Sequence, residues 1–450
     1  MRSTIQWGIV VGAGIFVATA AGAPASADEV EALTASHGAK RTLRRDVGLA
    51  QFEGVSIPAI LGQPIDAISV LAFRDGKLDP IPFQIDERDA EGQWILPNGP
   101  EANESDDGRR LDANDVVVFE ARAPGDRIVG AVADYLDVKP LAAQEVELYL
   151  PKDGTSAWVY VAAFEGAAPK SPVDYVSYDP VTQTVVGREY QLRFDPKIPP
   201  SWEMLKFRTE DGKGWTDNLI DRVKIRIGAS LFWGLADAER TEEDVNLKVL
   251  AYKDGAVRVI RRQATSLDVA LGLKSPETIA NLVFMPDGLD IPIEVRLAFD
   301  PGGFFRNISW YQGTDFRDLR SAEVIVPIAP TPLKIDGRMD EVERSVSDRD
   351  CPWVVLRRGS QALVFWMTIG GKTPLKTRFQ WIDDADGDRP KEYVRGQLPR
   401  VGYSIVGWEE VKAGTYFITM RTRNIPNYTP GMERAYLASE DDPVLVARPR

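Results

Sequence analysis

From Asp46 onward the chain alternates short apolar runs with polar turn pairs, and aspartate-glycine steps recur at Asp75-Gly76, Asp153-Gly154, Asp211-Gly212, Asp254-Gly255 and Asp287-Gly288. Apolar runs of strand length punctuated in this way predict antiparallel β structure. In the first third the pattern predicts strands over Ser69–Phe73, Ile81–Ile85, Val116–Phe119, Glu145–Leu150 and Trp158–Ala163. Alternation at Ile220, Val223, Ile225 and Ile227 opens a second group, followed by Leu247–Ala251 and Val257–Ile260 as a hairpin about Asp254-Gly255. Further strands are expected at Ile291–Phe299, Phe305–Trp310, Trp353–Leu356, Ala362–Thr368, Thr377–Ile382, Gly402–Trp408, Tyr416–Arg421 and Val444–Ala447. Helical periodicity is scarce, with short candidates at Pro276–Leu282 and Met339–Val346.

Composition breaks divide this pattern. Gly166-Ala-Ala-Pro-Lys-Ser-Pro172 reads as a linker, and Val326-Pro-Ile-Ala-Pro-Thr-Pro332 reads as a second boundary. The fold expected is therefore all-β: an N-terminal β-sandwich over 46–165, a central one over 173–325 and a C-terminal β domain over 333–450. Residues 1–27 read as a secretory signal, with Arg2, an apolar run from Trp7 to Ala20 and Ala25-Ser26-Ala27 as the cleavage site. Residues 28–45 form a polar arm. A periplasmic or secreted location follows, and no later run is apolar enough to span a bilayer as a helix.

The net charge is −13, and loss of residues 1–27 would remove only Arg2 among the charged groups. Such an acidic chain is a poor ligand for nucleic acid or an anionic membrane. Cys351 is the single cysteine, so no intramolecular disulfide forms. His37 is the single histidine and lies in the arm. Zinc sites, bis-histidine haem ligation and a Ser-His-Asp triad are thereby set aside.

Two acidic loops offer oxygen ligands for a hard cation such as Ca²⁺. One carries Asp106, Asp112, Asn114 and Asp115; the other carries Asp384, Asp386 and Asp388. Neither has EF-hand spacing, and solvated turns with Arg109, Arg110 and Lys391 as counter-charges are the competing reading. Aromatic residues gather around Trp310 and Tyr311, beside Arg306, Asp315 and Arg317. Rings flanked by carboxylates and guanidinium groups suit a sugar, although aromatic side chains in strands more often fill a core. Neighbouring residues on a strand face opposite ways, so at most one of these two rings can enter the core.

The run Pro82-Phe83-Gln84-Ile85-Asp86 with Asp112-Ala113-Asn114-Asp115 resembles the opening module of secreted bacterial β-sandwich proteins, in which a P-F-Q-x-D strand precedes an acidic D-x-N-D strand. Val116 stands where those modules carry a further acid. Lys253–Arg262, KDGAVRVIRR, is similar to a strand pair of mutarotase-like supersandwiches. The resemblance implies a supersandwich-like central part and a setting near polysaccharide processing. Sugar mutarotases and many sandwich lyases use histidine, which this core lacks. The expectation is an exported binding or accessory protein for carbohydrate. A histidine-free glycan-active hydrolase or lyase, and a subunit or assembly factor that meets another exported protein, are the alternatives.

Overall fold

The computed structural model describes residues 9–12, 39–105, 107–231, 236–270, 273–275, 277–386, 397–441 and 446–449. Its strands lie in antiparallel sheets throughout, as the alternation predicts. Asp75 and Gly76 both take positive φ, 50° and 80°. That geometry matches the twist of paired strands and joins Ile68–Arg74 to Lys77–Pro80 as a tight hairpin.

The N-terminal module is two facing sheets. One has the order Leu49–Glu53, Val116–Glu120, Phe83–Asp86. The other runs Val446–Pro449, Ala142–Leu150, Thr155–Ala163, Ile68–Arg74, Lys77–Pro80. Phe52, Val117 and Phe119 from the first meet Ile68, Val70, Val159 and Val161 from the second in a single core. One of these strands comes from the far end of the chain: Val446 to Pro449 pair with Tyr149 to Val146.

The remainder is a large sandwich. Its main sheet runs Val245–Asp254, Val259–Ala270, Thr278–Met285, Gly288–Leu297, Gly414–Ile425, Gln361–Ile369, Val354–Arg358, Glu323–Ile325, Leu333–Lys334. A five-stranded sheet runs Ala236–Thr241, Ile220–Leu231, Phe305–Arg317, Gln397–Val406, Lys376–Ile382, and a four-stranded one spans Val176–Asp179 to Trp202–Phe207. Phe194, Trp202, Phe284, Val295, Trp310, Phe316, Leu363 and Ile418 join all three sheets in one core.

This arrangement runs across the boundary expected at 326–332. Gly288–Leu297 pairs with Gly414–Ile425 along its whole length, and Phe305–Arg317 pairs with Gln397–Val406. The prolines there interrupt ladder hydrogen bonding without separating two cores. Val326 is buried in the shared interior.

The helix expected at Met339–Val346 forms over Glu341–Val346. The one expected at Pro276–Leu282 does not, because Thr278–Met285 is a strand. It leads into the Asp287-Gly288 turn and pairs Val283 to Met285 with Asp290 to Gly288.

Candidate ligand-binding site

The strand Phe83–Asp86 is an edge of its three-stranded sheet, so one side of its backbone is free to meet other elements. The hairpin of Lys253–Arg262 lies against it. Gln84 and Asp86 are two residues apart and project from the same face of the strand. The Gln84 Oε1 accepts from the amides of Val257 at 2.9 Å and Arg258 at 2.8 Å, while its Nε2 donates to Asp86 Oδ1 at 2.8 Å. Asp86 Oδ2 accepts from Arg258 Nε at 2.7 Å, and Lys253 Nζ lies 3.1 Å from Oδ1. Gly255 passes so close to the Gln84 carboxamide that a Cβ would overlap it. The two stretches that carry the sequence resemblances are thus complementary halves of one contact.

Asp86 is 1% exposed. Burial alone would raise its pKa, but Arg258, Lys253 and the Gln84 amide hold the carboxyl below its ordinary value. Arg258 also reaches Gln51 at 3.1 Å and, with Arg88, lies over the Trp94 ring. Trp94, Leu96 and Val116 pack there against Ala251 and Ile260, so a small apolar cluster backs the ion pairs.

Beside this contact lies a cavity of about 460 Å³. Phe83, Ile65, Ile85, Ile95 and Pro97 supply its apolar wall, and Glu87, Ser105, Arg109, Lys170, Ser171 and Lys253 supply polar groups. Lys253 donates to the Ile85 carbonyl on the free edge of the strand. Lys170 reaches in from the stretch read as a linker. Its amine donates to the Ile65 and Ile68 carbonyls and sits 4.4 Å from the centre of the Phe83 ring. Loss of solvent lowers the Lys170 pKa to about 8, with Asp66 opposing. Glu87 is 9% exposed, and its Oε1 has no hydrogen-bond partner among the described residues.

The Asp112–Asp115 turn leads into Val116–Glu120, the strand that pairs with Phe83–Asp86. Asp112 Oδ1 accepts from the amides of Asn114 at 3.0 Å and Asp115 at 3.1 Å. Asp115 is buried and accepts from Arg88 N at 2.9 Å and Asp112 N at 3.0 Å. Burial pushes its pKa up to about 7 against those two amides, with Asp112 and Glu87 adding repulsion. In the second loop Asp384 Oδ1 accepts from Asp386 N at 3.0 Å. Asp106 and Asp388 lie outside the described residues. Among the described residues no group of three or more acidic, cysteine or histidine side chains is placed to share a metal ion.

The aromatic candidates are elsewhere. Trp310 is buried, stacked on Trp408 with ring centres 5.7 Å apart. Tyr311 faces the other side of its strand, its ring lying along Gly313 and its hydroxyl buried without a hydrogen-bond partner among the described residues. Burial raises its pKa, with Arg400 opposing. Asp315 shares that face and is held by Lys224 at 2.5 Å and Arg400 at 2.9 Å, so its carboxylate is committed to ion pairs. Arg317 donates to the Ile220 carbonyl at 2.8 Å. Arg306 sits at the far end of the strand and donates to the Gly302 and Phe305 carbonyls. The structure therefore brings Tyr311 and Asp315 together, and leaves Trp310, Arg306 and Arg317 apart from them. Lys170 and Glu87 went unnoticed in the sequence as site residues. The one signal was a lysine placed between two prolines in an otherwise uncharged stretch.

No protein-family model matches the chain, and no curated protein matches it. Among solved structures it is similar to an alpha-mannosidase from Enterococcus faecalis V583, at 9% identity and a TM-score of 0.44 over 92% of this chain and 45% of that one. It is also similar to an alpha-N-acetylgalactosaminidase from Bifidobacterium bifidum, at 12% identity and a TM-score of 0.34 over 57% of this chain and 38% of that one. The chain thus spans less than half the length of either enzyme. At these scores the likeness describes strand arrangement loosely and bears on neither site nor chemistry.

Proposed function

We propose that this chain is an exported carbohydrate-binding protein and that its ligand occupies the cavity beside the Phe83–Asp86 strand. One observation carries the reading: a cavity of about 460 Å³ combines the Phe83 ring with two serines and a buried carboxylate whose Oε1 has no hydrogen-bond partner among the described residues. A sugar presents an apolar face and a rim of hydroxyl groups, and this lining offers a partner for each. Binding is preferred over carboxylate-pair hydrolysis because Glu87 is the lone acidic side chain among the described lining residues. Glycoside hydrolysis of that kind needs two carboxyl groups across the scissile bond.

The test is titration of the full chain, Phe83→Ala and Glu87→Gln against a panel of oligosaccharides, with product analysis of every sample. Wild type should bind at least one member without turnover. Glu87→Gln keeps an acceptor but removes its charge; a hydrogen bond to a charged group is worth about 1.5–3 kcal/mol against about 0.5–1.5 for a neutral one, so this variant should weaken binding several-fold, and Phe83→Ala should weaken it too. Binding that ignores both substitutions would move the site elsewhere. Cleaved or unsaturated products would replace this reading with the hydrolase or lyase one.

A further inference from the structure

The molecule is acidic, with a net charge of −13, yet this cavity is not. Its described lining holds three cations, Arg109, Lys170 and Lys253, against the single carboxylate Glu87. Lys253 is spoken for by Asp86 and the Ile85 carbonyl. Arg109 faces Asp66 at 3.3 Å in an exposed pair that water screens strongly. Lys170 donates to two backbone carbonyls and forms no ion pair among the described residues. A cation held over an aromatic ring without a carboxylate contact has binding capacity left for an anion from outside. At the same cavity Glu87 is the lining carboxylate, and its buried Oε1 has no hydrogen-bond partner among the described residues.

We infer that the ligand of this cavity is an acidic sugar, a uronate whose carboxylate is received by Lys170 and Arg109 while a hydroxyl donates to Glu87. The inference rests on the carbohydrate reading above and adds the sign of the ligand. An ordinary sugar would satisfy Glu87 and the Phe83 face but would leave the cationic end without a partner. A small inorganic anion would meet Lys170 but would leave Glu87 and the apolar wall unused.

The charged groups facing Lys170 set a pH signature. Asp66 from the Ile65–Ala67 turn acts on Lys170 directly, and Glu87 after the edge strand, Arg109 from the loop before Leu111 and Lys253 from the hairpin line the same cavity. Loss of solvent at its amine lowers the Lys170 pKa to about 8, with Asp66 opposing, although the residue as a whole is exposed, so the free protein should lose this charge as pH rises through that value. A carboxylate ligand needs the charged form. Affinity for a uronate should therefore be steady below about pH 7 and fall as pH rises toward 9, while affinity for an uncharged sugar should not.

The experiment is calorimetric titration of the full chain with galacturonate and glucuronate oligosaccharides, with the methyl esters of the same oligosaccharides, and with inorganic sulfate, from pH 6 to pH 9. The free acids should bind at least tenfold more tightly than their esters at pH 6.5, and the gap should narrow by pH 9 as Lys170 loses its charge. Lys170→Gln, which can still donate to the Ile65 and Ile68 carbonyls, should narrow the gap at pH 6.5 to what Arg109 alone sustains, and Lys170→Arg should keep it but remove its pH dependence. Equal binding of acid and ester would overturn the acidic-sugar inference and leave the carbohydrate reading standing. Sulfate binding through Lys170 with no binding of any sugar would overturn both, leaving a simple anion site. Absence of all binding would overturn both as well. The acid-ester comparison in the unaltered protein keeps the test decisive even if a variant folds poorly.

Discussion

Asp86 shows how a single side chain joins two parts of this molecule. Its carboxylate is buried and compensated by Arg258 and Lys253, which belong to a hairpin far away in sequence. Removing one partner of such a group leaves the others charged and desolvated, a loss of about 3–5 kcal/mol. Asp86→Ala should lower stability by that amount in urea denaturation, and a change below about 1 kcal/mol would mean that water reaches Arg258 and Lys253. The residue types at this contact were legible in the sequence, since Gln84, Asp86, Lys253 and Arg258 all lie in the stretches that carried the resemblances. Their partnership was not, because ion pairing across so long a separation leaves no periodic trace along the chain. Trp310 and Tyr311 teach the converse. Period-two logic correctly sends them to opposite faces, but it cannot reveal that Tyr311 folds along Gly313 or that Lys224 and Arg400 bind Asp315.

Elements were read well where local chemistry decides them. The aspartate-glycine steps at Asp75, Asp153, Asp254 and Asp287 each fall in a turn or at the end of a strand entering a hairpin. Pro276–Leu282 misled because a short apolar run is compatible with either period; its β-branched residues and neighbouring strands settle it as Thr278–Met285. The short helix Glu341–Val346 depends on its cap instead. Asp340 Oδ1 accepts from Glu343 N at 2.8 Å, and Glu343 Oε2 accepts from Asp340 N at 2.8 Å. Burial raises the Glu343 pKa from 4.5 to about 7 against that amide, with the charges of Asp340 and Asp383 adding to it. The native state thus retains a proton that the unfolded chain loses at lower pH. The stability linked to it is present below about pH 4.5 and is lost as pH rises through about 7. Glu343→Gln, which keeps an acceptor for Asp340 N, should remove this slope, so that variant and wild type diverge between pH 4 and pH 8 in favour of the variant. Parallel stability curves over that range would contradict the assignment.

At the scale of the molecule, the expected alternation of strands and turns is present, but the division into a central and a C-terminal module is replaced by shared sheets and a shared core. Composition marks where a ladder is interrupted; it does not reveal which strand lies alongside which. Thermal unfolding should accordingly show residues 173–441 melting in one transition, and proteolysis within 326–332 should release no independently stable central fragment. A separate transition for 173–325 would restore the modular reading. Ligand should bind in the cavity beside the contact of the Phe83–Asp86 strand with the Lys253–Arg262 hairpin. Hydrogen–deuterium exchange of the full chain, with and without saturating uronate oligosaccharide, tests it most directly. New protection is expected in peptides covering 83–97, 105–109, 168–173 and 253–258. Protection confined to the Trp310-Tyr311 strand, or bound ligand with none of the four peptides protected, would contradict it.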